Sequence, residues 1–140
     1  MKNNIRQRGF TLIELLVVLA IIGLLAGLVG PQVMKHLGGA KTKAAKVQIE
    51  DLAGALDMYR MDNGRYPTSS EGLKALVEKP SSARGWNGPY LRKNNVPLDP
   101  WMYDYRYTSP GEHGRFDLYS YGADNASGGD GEDQDVNSWE

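Results

Sequence analysis

The chain has no cysteine and only two histidines, and each scarcity removes a class of function. Without cysteine no disulfide can staple a domain, and no thiolate can serve as a nucleophile or metal ligand. His36 and His113 lie far apart in the sequence with no ligand cluster around either, so neither reads as catalytic. The formal net charge is −1, which excludes general affinity for nucleic acid. No internal repeat is present, and low complexity is confined to the C-terminal tail.

The charges that are present are segregated. Lys2, Arg6 and Arg8 precede any acidic residue, whereas Asp124, Asp130, Glu132, Asp133, Asp135 and Glu140 are the only charged residues after Gly122. Such asymmetry fits two sides of a membrane or two ends of an assembly. Between the extremes, the 20 residues from Leu15 to Met34 carry no formal charge. At about 1.5 Å per helical residue they span roughly 30 Å, the thickness of a bilayer core. Cations ahead of the span predict a cytoplasmic N-terminus and an exported remainder. A cleaved signal peptide would place small residues at its end, but here Pro31 follows Gly30 directly. Gly23 and Gly27 are spaced as in close-packed membrane helices, although glycine is also simply common there. Pro31 is expected to kink or locally melt the helix, and Gly38-Gly39 to mark a weak point.

Glu14 breaks the apolar pattern. A carboxylate in lipid costs roughly 3 kcal/mol, so it must be partnered or protonated. A plain anchor gains nothing from it, whereas an assembly helix does if a neighbouring subunit supplies a cation.

The run Arg8-Gly9-Phe10-Thr11-Leu12-Ile13-Glu14 closely resembles the type IV prepilin and pseudopilin family. That resemblance implies a leader of residues 1–9 cut between Gly9 and Phe10 by a prepilin peptidase, followed by methylation of the Phe10 amine. It also implies a filament in which Glu14 neutralises the freed Phe10 amine of an adjacent subunit.

Past the membrane span of residues 10–34, an amphipathic half-helix is expected over 35–61. Ala45, Ile49, Leu52, Leu56 and Tyr59 step by four and three to give one apolar stripe. A globular domain is expected over 62–140. Thr68-Ser69-Ser70-Glu71 matches a capping box and predicts a short helix through Val77. The loop from Ser81 to Pro100 is expected to hug the domain through Trp86, Tyr90 and Trp101. Alternating Tyr103, Tyr105 and Tyr107 predict a half-buried strand, and Arg115 to Tyr121 a second, joined as a hairpin. The fold class is therefore α+β, a long N-terminal helix packed on a small antiparallel sheet, as in pilins.

Residues Gly122 to Val136 place five carboxylates among four glycines. Clustered acids repel one another, and a hard divalent cation with flexible oxygen ligands removes that cost, calcium best of all. Asp57-Met58-Tyr59-Arg60-Met61-Asp62-Asn63-Gly64-Arg65-Tyr66-Pro67-Thr68 resembles the major pseudopilins of type II secretion. So do Leu98-Asp99-Pro100-Trp101, Ser109-Pro110-Gly111-Glu112-His113-Gly114 and Asp117 to Asp124. The resemblance implies a calcium loop over 121–136 with the Tyr121 carbonyl and the carboxylates of Asp124, Asp133 and Asp135 as ligands. Ser127 or a nearby carbonyl is expected to complete the shell.

Function is then expected to be structural rather than enzymatic. The resemblance implies a homo-polymeric periplasmic pseudopilus that drives export of folded proteins. It would be anchored in the bacterial inner membrane and would work with minor pseudopilins and an inner-membrane assembly platform. A surface type IV pilin and a membrane-anchored periplasmic enzyme remain as alternatives.

Overall fold

A computed structural model describes residues 9–140. The leader cations Lys2, Arg6 and Arg8 lie outside the described residues. Helix α1 covers Leu12–Asn63, 52 residues. It runs through both Pro31 and Gly38-Gly39 as one helix, with no local melting at either. Proline removes a single backbone donor, and helical residues extending many turns on either side keep the remaining ladder intact.

The chain divides into two compact units at His36 and Leu37. In the first, Leu24, Leu28 and Val29 are exposed like every other described residue, so the helix is apolar all round with no protein to cover it. In the second unit the stripe read from the sequence is the core face: Ala45, Ile49, Leu52, Leu56 and Tyr59 are all buried, joined by Ala55. Onto it pack Leu73, Leu76, Tyr105, Leu118 and Val136. Each large aliphatic side chain removed from water contributes roughly 1.5–3 kcal/mol.

The capping box forms: Thr68 Oγ1 accepts the Glu71 amide at 3.2 Å, and the Glu71 carboxylate accepts the Thr68 amide at 2.8 Å. The helix behind it is shorter and tighter than expected, a 3-10 turn over Leu73–Leu76. Gly72 explains this, because its φ of 61° lies outside the α-helical region and breaks the first turn. The long loop does wrap the core. Trp86 Nε1 donates to the Ala75 carbonyl at 2.8 Å, and Tyr90 stands edge-on to both Tyr59 and Trp86 at 5.7 Å.

Strands β1 (Arg106–Thr108), β2 (Asp117–Ser120) and β3 (Val136–Asn137) form one antiparallel sheet in that order. Tyr107 pairs with Leu118, and Ser120 with Val136. The hairpin is as expected but its strands are shorter. Tyr103 lies outside β1 because Asp99, a buried carboxylate, takes the amides of Trp101 (3.0 Å) and Tyr103 (2.8 Å) to close a turn. At the other strand, Asp117 accepts the amides of Glu112 and His113 and so ends the connecting loop at its own position. The third strand leaves no signal in the sequence, since two residues are too few to show alternation.

Candidate functional site

At the head of α1, Gly9 and Phe10 precede the helix and are exposed, Phe10 to 92%. Glu14 has a partner within its own chain. Its Oε2 accepts the Thr11 amide at 2.8 Å, while Thr11 Oγ1 accepts the Glu14 amide at 3.3 Å. This is a second capping box, and it corrects the view that a plain anchor gains nothing from Glu14. The carboxylate satisfies one of the free amides at the helix start and meets the positive end of the helix dipole. Thr11 and Glu14 have the same spacing as Thr68 and Glu71, so the signal is present in the sequence. Phe10, Ile13, Glu14, Val17 and Val18 line an open depression of about 380 Å³ beside this box.

The acidic loop is closed on itself. The Ala123 amide donates to the Glu132 carbonyl at 2.9 Å, and Gly128 donates to Asp135 Oδ2 at 3.0 Å. Gly122 sits at the closure with φ 71°, and any Cβ there would meet the backbone carbonyls of Glu132 and Gln134 at 2.7 and 2.8 Å. Only glycine fits. Glu132 lies over Gly38 of α1, the one buried residue of the helix before Ala45.

Tyr121, Asp124, Asp133 and Asp135 all belong to this loop, but their side chains do not converge. Asp124 Oδ1 caps the Ala126 amide at 3.0 Å, and Asp133 is exposed. Among the described residues, no group of three or more acidic or histidine side chains is arranged to hold a metal ion. One atom nevertheless fits a cation: Asp135 Oδ1 is buried without a hydrogen-bond partner. Such an orphan acceptor costs about 1–3 kcal/mol unless something positive reaches it. The Tyr121 ring is taken up by Tyr119 and by the Arg106 guanidinium 5.5 Å away, so only its backbone oxygen is available to the loop.

His113 has two partners, one four residues away and one near the C-terminus. Its Nδ1 lies 3.0 Å from Asp117 Oδ2, and its ring stacks on Trp139 at 4.0 Å. Burial pushes the Asp117 carboxyl up, but the bonds from the His113 ring and from the Glu112 and His113 amides outweigh it and leave the group below its ordinary value. The arrangement ties the C-terminus to the hairpin loop.

Two family models match the chain. One, described as Type II secretion system (T2SS), protein G, covers residues 32–139. The other, the Prokaryotic N-terminal methylation motif, covers residues 4–30. The chain is 49% identical over 139 residues to Type II secretion system core protein G of Pseudomonas aeruginosa, spanning 96% of each. It is 42% identical to the protein of the same description from Vibrio cholerae, over 99% of this chain and 96% of that one. The crystal structure of the major pseudopilin from the type 2 secretion system of enterohaemorrhagic Escherichia coli superposes with a TM-score of 0.65 at 34% identity. It covers 76% of this chain and 92% of that one. An exposed apolar helix behind a methylation motif, a stripe-packed three-stranded sheet and matches along nearly the whole length together show that this chain belongs to the type II secretion system protein G family, the major pseudopilins.

Proposed function

We propose that copies of this chain polymerise through α1 into a periplasmic pseudopilus whose growth drives folded proteins across the outer membrane. The observation that carries the reading is the all-round exposure of the apolar segment of α1 from Leu12 to Met34, in which the only acid, Glu14, sits four residues behind Phe10. Lipid covers that helix in the anchored subunit, and neighbouring helices cover it in the polymer. The protein is a membrane-anchored structural subunit; its role is mechanical, with no catalytic step of its own. The N-terminus faces the cytoplasm and the domain of residues 62–140 faces the periplasm, in line with the leader cations.

Hydrolysis of the Gly9–Phe10 amide by a prepilin peptidase removes residues 1–9 and turns an uncharged amide nitrogen into an ammonium. The Glu14 carboxylate has one oxygen on the Thr11 amide, leaving the other to meet the Phe10 ammonium of an adjacent subunit. An acid that is costly in lipid and paired in the polymer favours assembly. Minor pseudopilins and an inner-membrane platform are the natural partners of such a polymer. Neither a surface pilin nor a periplasmic enzyme is favoured by the family matches.

Calcium belongs to the same reading. Asp135, with its unpartnered buried oxygen, together with Asp124, Asp133 and the Tyr121 carbonyl, would hold it, and Ser127 or a nearby carbonyl would complete the shell. Its charge would neutralise the crowded carboxylates and secure the loop.

Two experiments test this. Intact mass of the membrane-extracted protein should lack residues 1–9 and carry about 14 Da more, one methyl for one hydrogen; Glu14→Ala should be processed alike yet yield no sedimentable filament. Filaments from Glu14→Ala at the normal rate would overturn the pairing. For calcium, a chelator should lower the melting temperature by several degrees, and Asp135→Asn should mimic it; melts unchanged in both would remove the metal.

A further inference from the structure

The outer face of the sheet carries a row of aromatic side chains that the core does not use. From Leu118 on, burial alternates along β2: Leu118 and Ser120 turn inward, while Tyr119 is half-buried on the opposite face. The Tyr121 ring, directly after the strand, lies 5.1 Å from that of Tyr119, and the Trp139 ring lies 5.8 Å from it. By the register of β3, Trp139 falls at the Asp117 end of the row and Tyr121 at the other. His113 stacks on Trp139 at 4.0 Å, and the Arg106 guanidinium lies 5.5 Å over Tyr121. Across the strands, Tyr119 has Arg106 opposite it on β1 and Asn137 on β3.

Tyr119, Tyr121 and Trp139 belong neither to the core nor to the hydrophobic side chains packed against it, unlike Tyr105 and Tyr107. Trp139 and Arg106 are exposed, and Arg106 takes part in none of the ion pairs among the described residues. Tyr, Trp and Arg anchor partners more than other side chains do, since each joins a large rigid surface to a polar edge. Spacing decides which partner fits. A proline-rich helix returns to the same face every three residues, about 9 Å, and an extended strand every two, about 7 Å. Steps of 5.8 and 5.1 Å are too short for either. One six-membered sugar ring with its linking oxygen makes such a step, and its face of C–H bonds packs on an aromatic ring. Successive sugars are turned relative to one another, as these rings are, by 72° and 59°. Arg106 and Asn137 bring N–H donors to the rim, suited to the carbonyl of an N-acetyl group.

We infer that the outer face of the sheet, centred on Tyr119, Tyr121 and Trp139, binds β-linked N-acetylated glycan, and that the strands of the cell wall supply it. Where the glycan is met rests on the periplasmic placement proposed above; binding by the purified chain does not. A single face holds one short stretch of sugar. A polymer that repeats the face contacts the wall at many weak sites, each free to release and re-form as the fibre moves.

The full-length chain, solubilised in a detergent without a sugar headgroup, is titrated with chitohexaose while the heat of binding is followed. It is also sedimented with isolated cell-wall sacculi. Saturable binding at millimolar or lower concentration is expected, together with co-sedimentation. Trp139→Ala and Arg106→Ala should each weaken chitohexaose binding about tenfold, the scale on which an anchoring side chain is lost. Trp139→Ala also removes the His113 stack; if it does not fold, Arg106→Ala, which removes an exposed side chain, decides. No binding of chitohexaose, or binding undiminished in a folded variant, would overturn the site. A deca-proline peptide bound as tightly as chitohexaose would overturn the glycan in favour of a peptide. Chitohexaose bound without co-sedimentation would overturn the cell wall as its source. A domain shielded from protease added to the periplasm would overturn the placement alone, with the binding result unaffected.

Discussion

Glu71 offers the sharpest test of how the globular part is held together. Its carboxylate receives two bonds from the Arg65 guanidinium, at 2.7 and 2.8 Å, the Thr68 amide at 2.8 Å and the Ser82 hydroxyl. The Arg65 bonds are the largest influence; burial opposes them, and Ser82 and Thr68 add to them, holding the carboxyl at about 2 where 4.5 is ordinary. At about 1.4 kcal/mol per pH unit that corresponds to roughly 3 kcal/mol. Glu71 is 15% exposed but Arg65 is 37% exposed, so screening by solvent reduces this to about 2 kcal/mol. The sign follows from the lowered value. The stabilisation is complete above about 4.5 and is lost as pH falls toward about 2. Glu71→Gln should therefore lower the melting temperature of the detergent-solubilised chain by about 8–10 °C at neutral pH. The gap between parent and variant should close as the pH is lowered through that window. A variant melting within about 1 °C of the parent at neutral pH, or a gap that persists undiminished at pH 2, would refute the account.

Two further outcomes are expected. Gly122→Ala forces a side chain into left-handed backbone and against the Glu132 and Gln134 carbonyls, and should destabilise the protein by at least about 2 kcal/mol in chemical denaturation. Asp117→Asn removes the acceptor charge on which His113 and two amides converge. It should lower stability at neutral pH and loosen the His113–Trp139 stack, seen as a change in tryptophan fluorescence. Because the Asp117 carboxyl lies below its ordinary value, the parent should approach the variant on acidification.

Some of this molecule is local in origin and so could be read from the chain. The span from Leu15 to Met34, the stripe from Ala45 to Tyr59 and the capping box at Thr68 and Glu71 depend on neighbours a few residues away. Helical periodicity and hydropathy report such features directly. The hairpin around Ser109 to Gly114 was legible for the same reason. Strand lengths were not, because Asp99 and Asp117 divert backbone amides that would otherwise extend β1 and β2. At Pro31 the helix does not melt, because the lost donor is outweighed by the many hydrogen bonds around it.

By itself the sequence determined that one helix must meet lipid or other helices, that an acid stands near its start, and that a glycine-spaced acidic loop ends the chain. Those properties are counts and spacings, and they survive without knowledge of any distant contact. Only the tertiary structure decided which partners those groups take: Thr11 for Glu14, Trp139 for His113, Gly38 beneath Glu132, and none for one oxygen of Asp135. Apart from the first, such pairings join residues separated by long stretches of chain, and folding alone brings them into contact.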